Sequence, residues 1–356
     1  MTDLSQYTLS NETGICLLDC ETAFNNLTDT EKLYSHYLSQ ASFHGGLIVL
    51  LQTSPESPGI FVLLQKLFRA QSVETLEKLA LQKGLSAEQV KALFMYAAGF
   101  YANMGNYKSF GDSKFIPNLP KDKFEAVVLG STAASEDPKG IQSLWEAVKE
   151  PMYSLDDRVK NLGLPPKGLT TYFSSNCDLK DAELAQEFLD KMDLSAYNTR
   201  LFKIESGGHK PVYEVRLAST ETKDGLIPGL SEGMIGEHIF KPKNSEESFT
   251  FKVTRGDYSQ LLSLVVDDLS KAKSHAVNEN ENKMLQEYIT SFTTGSNPAH
   301  KDGSRYWIKN KGPIVETYIG FIESYRDPFG VRGEFEGIDE SGIVRGSGAI
   351  DESGIR

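Results

Sequence analysis

Nowhere in this sequence do two histidines stand within one helical turn of each other. The six, His36, His44, His209, His238, His275 and His300, are scattered. Glu237-His238 lacks the second imidazole that would make a helical metal pair and reads as polarity at a strand entrance. A zinc hydrolase needs three protein ligands, an open coordination position and a carboxylate base. No such set can be read from the spacing, and neither a Gly-x-Ser-x-Gly elbow nor a phosphate loop occurs. Cysteine is scarce as well. Cys16, Cys20 and Cys177 cannot all pair internally and show no two-pair metal spacing, which suits a reducing compartment.

Two further absences narrow the class. The amino end, Met1 to Gly14, has neither a basic cluster nor an apolar core, so it does not read as a secretory signal, and no apolar run is long enough for a transmembrane helix. Lys and Arg are outnumbered by Asp and Glu, 37 to 49, for a net charge of -12, which disfavours nucleic acid and anionic membrane surfaces as partners. The expectation is a soluble cytoplasmic protein. In that setting the sequons at Asn11 and Asn26 stay unused, and Asp257 of Arg255-Gly256-Asp257 is expected to cap the amphipathic run that follows it.

What is present is enough chain, 356 residues, for two packed units. Thr28-x-x-Glu31 and Ser86-x-x-Gln89 are capping boxes, and helical periodicity recurs from Thr28 to Leu162, with an expected stop at Gly45-Gly46. Between the helices, Tyr101 to Pro120 is a glycine- and aromatic-rich connector. After Gly163-Leu164-Pro165-Pro166 the texture turns to β-branched and aromatic alternation. Short strands are expected at Thr170 to Phe173, at Thr199 to Glu205 paired as a hairpin with Val212 to Leu217, and at His238 to Lys241 and Ser248 to Val253. Thr220 to Gly236 is expected to be mobile. Two amphipathic helices follow, Asp257 to Ala276 and Asn280 to Thr293, with Gly295 ending the second.

The fold class is α+β. Residues 1–164 form a mainly helical subdomain, 165–337 an α+β subdomain with a mostly antiparallel β core and flanking helices, and 338–356 a low-complexity tail. In that tail Ile338 to Ile343 recurs as Ile350 to Ile355, and nothing there can bury a face.

The stretch that organises the second subdomain is Lys311 to Gly330. Gly312-Pro313 opens it, Asp327-Pro328 closes it, and it reads as a strand. Alternation puts Glu316 and Tyr318 on one face, with Val315, Thr317 and Ile319 on the other. By spacing alone, that face is either a solvated acid beside a half-buried phenol or a receptor for a cation such as a terminal ammonium.

This run resembles the dipeptidyl peptidase III family, as do Asn103 to Asp112, Leu194 to Phe202 and Val253 to Tyr258. The likeness extends from the amino end to about Gly337. The resemblance implies zinc exopeptidases that release dipeptides from short peptides, built from a zinc-holding helical lobe and a lobe with a β core that grips the peptide. This sequence matches the gripping lobe. The family's His-Glu-x-x-Gly-His signature is not in it, so no cofactor is expected in this chain and the zinc is expected in the lobe it lacks.

The resemblance further implies that Glu316 holds the terminal ammonium of a short peptide, Tyr318 contacts its backbone, and Ser109, Phe110 and Gly111 line the cleft. It implies peptide binding by strand addition, and an unpaired sheet edge open to self-association. Three readings stay open: a truncated peptide-binding lobe inactive alone, a non-enzymatic peptide- or protein-binding module, and a full-length metallopeptidase whose gene model was cut short.

Overall fold

The computed structural model describes residues 4–14, 20–208 and 210–341, with 338–341 as backbone. Cys16, His209 and the repeat from residue 342 onward lie outside the described residues. In chain order the helices are α1 (Glu21–Asn25), α2 (Asp29–Thr53), α3 (Ser57–Ala70), α4 (Val73–Gln82), α5 (Ala87–Ala102), α6 (Lys121–Gly130), α7 (Thr132–Glu136), α8 (Pro138–Tyr153), α9 (Leu179–Met192), α10 (Ser259–Lys273), α11 (Glu279–Thr294) and α12 (Asn297–Trp307). The strands are β1 (Thr199–Ile204), β2 (Val212–Ala218), β3 (Gly236–Phe240), β4 (Phe249–Asp257), β5 (Val315–Phe321) and β6 (Phe335–Ser341).

The chain divides into two units. One holds Met1–Ile15, Val49–Leu179 and Arg326–Pro328, and the other holds Cys16–Ile48, Lys180–Tyr325 and Phe329–Arg356. The cut falls at Leu179 and Lys180 where the change of texture suggested Pro165. The intervening chain is bonded within the first unit: Thr171 Oγ1 donates to the Gln52 carbonyl at 2.7 Å, and Leu162 bridges to Leu169. The strand expected at Thr170 to Phe173 is therefore irregular chain.

In the first unit, capping follows the sequence. Ser86 accepts from the Gln89 N–H and the Gln89 side chain accepts from the Ser86 N–H, which fixes the start of α5. The core is aromatic. Tyr96 meets Phe100, Phe115 and Phe124, and Phe124 meets Trp145 at 5.2 Å between ring centroids. Beneath it runs a buried polar network in which Lys114 Nζ reaches Glu56 Oε1 at 3.0 Å and the Pro151 carbonyl at 2.5 Å. Asn106 ties Glu56 to the Ser54 and Ser57 hydroxyls.

In the second unit, a four-stranded sheet has the order β1-β2-β4-β3. β1 with β2 and β3 with β4 are antiparallel, while β2 with β4 is parallel. One sheet face packs on α9 through Phe188, whose ring stacks on Phe251 at 4.1 Å. Asp257 is not a helix cap. It sits in β4 and accepts from Nε and Nη2 of Arg200, each at 2.6 Å, while Tyr258, at φ 56°, precedes α10. The loop expected to be mobile, Thr220 to Gly236, is tied down. Arg255 Nε donates to the Lys223 carbonyl at 2.6 Å, the Thr220 N–H to Phe292 O, and Ile227 and Met234 are buried.

Gly45-Gly46 does not end α2, which continues to Thr53. A Cβ at Gly45 would lie 1.8 Å from the Phe335 ring. The glycine is there for close packing on β6, not as a helix stop. β5 and β6 pair antiparallel from Val315 with Ser341 to Phe321 with Phe335. The backbone ladder thus continues four residues past Gly337.

Candidate functional site

β5 alternates as its sequence demands. Val315, Thr317 and Ile319 are buried, while Glu316 and Tyr318 are partly exposed on the opposite face. The element that meets this face is α12, which the sequence reading did not anticipate. Its start is chemically ordinary: Ser296 Oγ accepts from the Ala299 N–H, and Pro298 lies in the first turn. From there His300, Ser304 and Trp307 follow at helical spacing and form one stripe. Gly303, between them, brings α12 close to α11, since a Cβ there would lie 2.5 Å from Tyr288.

Helix and strand run in opposite senses, so the stripe reads β5 position by position. Trp307 Nε1 donates to Glu316 Oε1 at 2.5 Å. Ser304 Oγ lies 3.0 Å from Tyr318 Oη, and His300 Nε2 lies 3.4 Å from the same oxygen. The Trp307 ring stands 5.1 Å from that of Tyr318. At the far end a Cβ on Gly320 would lie 2.4 Å from His300 Cε1, so only glycine leaves room for the imidazole. His300 stacks on Tyr288 at 5.2 Å. Burial pulls its pKa down to about 4, so the ring is neutral at ordinary pH. Burial pushes the Tyr288 phenol up.

Glu316 therefore has one oxygen committed to an indole N–H and a second, Oε2, with no hydrogen-bond partner among the described residues. A carboxylate held in one rotamer with one free, partly exposed oxygen is suited to receive a cationic donor.

Ser109, Phe110 and Gly111 belong to the other unit. The Ser109 N–H donates to Asn103 Oδ1 at 2.9 Å, and Arg326 Nη2 reaches Ser109 Oγ and the Asn103 carbonyl, each at 3.4 Å. Phe110 is 88% exposed. Gly111 has φ 101° and Asp112 φ 56°, two successive positive-φ residues that form the turn. Burial raises the Asp112 carboxyl, with Arg326 opposing it.

Among the described residues no three His, Cys, Asp or Glu side chains converge on one point. The described histidines are used otherwise: His44 Nδ1 pairs with Asp268 Oδ2 at 2.7 Å, His238 Nε2 with the Met234 carbonyl at 2.9 Å, and His275 stacks on Tyr37. These residues do not fit a zinc site. No described helix is long and apolar enough to cross a membrane.

Residues 144–340, which include all of β1 to β5 and α9 to α12, match the model of peptidase family M49. The chain belongs to peptidase family M49. It is 55% identical to Dipeptidyl peptidase 3 of Homo sapiens over 334 residues, a match covering 94% of this chain and 44% of that protein. It is 40% identical to Dipeptidyl peptidase 3 of Dictyostelium discoideum with the same coverage of both chains. The chain thus spans less than half the length of these M49 relatives. A solved structure, dipeptidyl-peptidase III from Corallococcus sp. strain EGB, aligns with a TM-score of 0.46 at 13% identity, covering 91% of this chain and 40% of that one.

Membership in the family agrees with the likeness read from the blocks around Asn103, Leu194, Val253 and Lys311. What that reading missed is the α12 stripe. Its signal was present as Ser296-x-x-Ala299 followed by His300, Ser304 and Trp307, but Asn297, Pro298, Asp302, Gly303 and Ser304 make the stretch look like a loop.

Proposed function

We propose that this chain is the peptide-gripping part of a dipeptidyl peptidase III-like protein, acting in the cytoplasm on short peptides with a free amino end. Glu316 receives the terminal ammonium through Oε2 while Trp307 holds Oε1. Tyr318 contacts the peptide backbone, and Ser109, Phe110 and Gly111 are further candidate peptide contacts. The observation that carries the reading is the Trp307 to Glu316 hydrogen bond of 2.5 Å, which fixes the carboxylate and leaves its other oxygen without a partner among the described residues.

An ammonium anchored there is separated by two residues, roughly 7 Å of extended chain, from the bond a dipeptide-releasing enzyme cuts. Hydrolysis requires zinc ligands that the described residues do not supply, so the chain alone is proposed to bind without cutting. Among the described residues β5 and β6 form a two-stranded sheet, and self-association through a sheet edge in concentrated solution is part of the proposal.

The test is calorimetric titration with a short free-amine peptide. Glu316→Gln removes the charge of a charge-assisted hydrogen bond worth roughly 1.5 to 3 kcal/mol, so affinity should fall about tenfold or more. Trp307→Phe keeps the ring but frees the carboxylate rotamer, and should weaken the same peptide by a smaller factor. Tyr318→Phe should also weaken it less than Glu316→Gln, because no charge is left unpaired. Unchanged affinity in Glu316→Gln would make Glu316 a surface acid and end the reading.

A further inference from the structure

A cleft of about 510 Å³ opens in the second unit between the carboxyl end of α9 and the amino end of α12, a size in the ordinary range for small-molecule sites. Its walls are pinned by bonds that need no ligand. Asn297 Nδ2 donates to Ser195 Oγ at 2.7 Å, Ser296 Oγ to the Pro228 carbonyl at 2.5 Å, and the Gly333 N–H to the Tyr197 carbonyl at 2.8 Å. Gly229, at φ 77°, seats its loop against α12, since a Cβ there would lie 2.5 Å from Pro298.

Both helices carry charges of the wrong sign for the ends that meet this cleft. A helix C-terminus favours cations, yet α9 closes on Asp190 and, just past its last residue at φ 52°, on Asp193. The basic residue of that last turn, Lys191, lies over the Phe240 ring at 5.3 Å. Asp190 accepts from Gln186 Nε2 at 2.8 Å, and the Asp193 carboxylate has no partner among the described residues. On the other side, α12 has no acid in its first turn, and Lys301 in its second turn has no ion-pair partner among the described residues. A helix N-terminus with a lysine beside it favours an anion. The cleft thus lacks a cation on the α9 side and an anion on the α12 side.

We propose that this cleft binds a small zwitterion, a free amino acid or a dipeptide with apolar side chains. The ammonium lies against Asp190 and Asp193, the carboxylate against Lys301 and the first turn of α12, and the side chains against Leu230, Pro298 and Val331, which also line it. The site goes beyond the Glu316 anchor and shares neither Glu316 nor Tyr318 with it.

The test is calorimetric titration of the full chain carrying Glu316→Gln, which weakens the proposed anchor, with leucyl-leucine as the probe. Asp193 and Lys301 are exposed, and asparagine tolerates the positive φ at 193, so Asp193→Asn and Lys301→Gln should leave the fold intact. Each should weaken leucyl-leucine about three- to tenfold. Acetyl-leucyl-leucine should lose a similar factor and be insensitive to Asp193→Asn, while leucyl-leucine amide should be insensitive to Lys301→Gln, because each pair of changes deletes one interaction. Leucine in the same titrations separates the two sources, the tighter binder being the one the cleft takes. If neither leucine nor leucyl-leucine binds, or if neither substitution moves the affinity, the site is overturned. An amide that binds as tightly as the free acid would overturn it too, since no carboxylate is then recognised. With Glu316 already replaced, none of these results bears on the anchor reading.

Discussion

Lys114→Met should destabilise the first unit by about 3 to 5 kcal/mol, as measured by denaturant unfolding, because it strands Glu56 as an uncompensated buried charge. Lys114 is 1% exposed and Glu56 8% at the side chain. The ammonium also holds the Pro151 carbonyl at 2.5 Å, inside a helix where Pro151 itself removes a backbone donor. Removing both charges should cost much less. In Glu56→Gln combined with Lys114→Met, the new amide oxygen can still accept from Asn106 Nδ2, which reaches Glu56 Oε1 at 2.8 Å. The double variant should therefore recover a large part of the loss, a coupling that a cycle of the two substitutions measures directly. A single-variant loss below about 1 kcal/mol would place the pair in the class of weak surface bridges.

His300 should make the second unit acid-sensitive in a definite window. Burial among Tyr288 and Tyr318 lowers its pKa from 6.5 to about 4, so between those values the unfolded chain takes up a proton that the folded chain refuses. The contribution is fully present above about pH 6.5 and is lost as pH falls towards 4. Its size is roughly 3 kcal/mol.

Glu336 works against it. Burial first, and then Glu334 and Glu323, raise its carboxyl from 4.5 to about 7. The folded chain therefore holds a proton there that the unfolded chain releases, and lowering the pH from about 7 to about 4.5 favours folding at that site. The two opposing effects are separated by comparing wild type with His300→Gln. The stability difference between them should shift by roughly 2 to 3 kcal/mol against wild type between about pH 7.5 and about pH 4.5. Parallel curves would mean that His300 is solvated.

The parts of the fold that were legible in the sequence are those where one local rule decides. Capping boxes at Thr28 and Ser86, the Gly295 stop and the alternation of Val315 to Ile319 each formed as written. The errors came where a distant residue overrode the local signal. Gly45-Gly46 looks like a helix stop until Phe335 is packed against Gly45. Asp257 looks like a cap until Arg200, across the sheet in β1, takes both its oxygens. Thr220 to Gly236 looks loose because the partner that fixes it, Arg255, lies in a later strand.

The candidate site was half legible for the same reason. Strand alternation puts Glu316 and Tyr318 on one face, but which groups meet that face depends on α12. Helical spacing alone could not reveal that His300, Ser304 and Trp307 line up with Gly320, Tyr318 and Glu316 in reverse order.

Whether the chain grips a peptide by its free amino end at Glu316 is measured most directly by the affinity of the wild-type chain for one short peptide in two forms, free and acetylated at the amino terminus. The acetylated form should bind about tenfold more weakly or worse. In Glu316→Gln the two forms should bind nearly alike, because both changes delete the same interaction. Equal binding of the free and acetylated peptides to the wild-type chain would contradict the account.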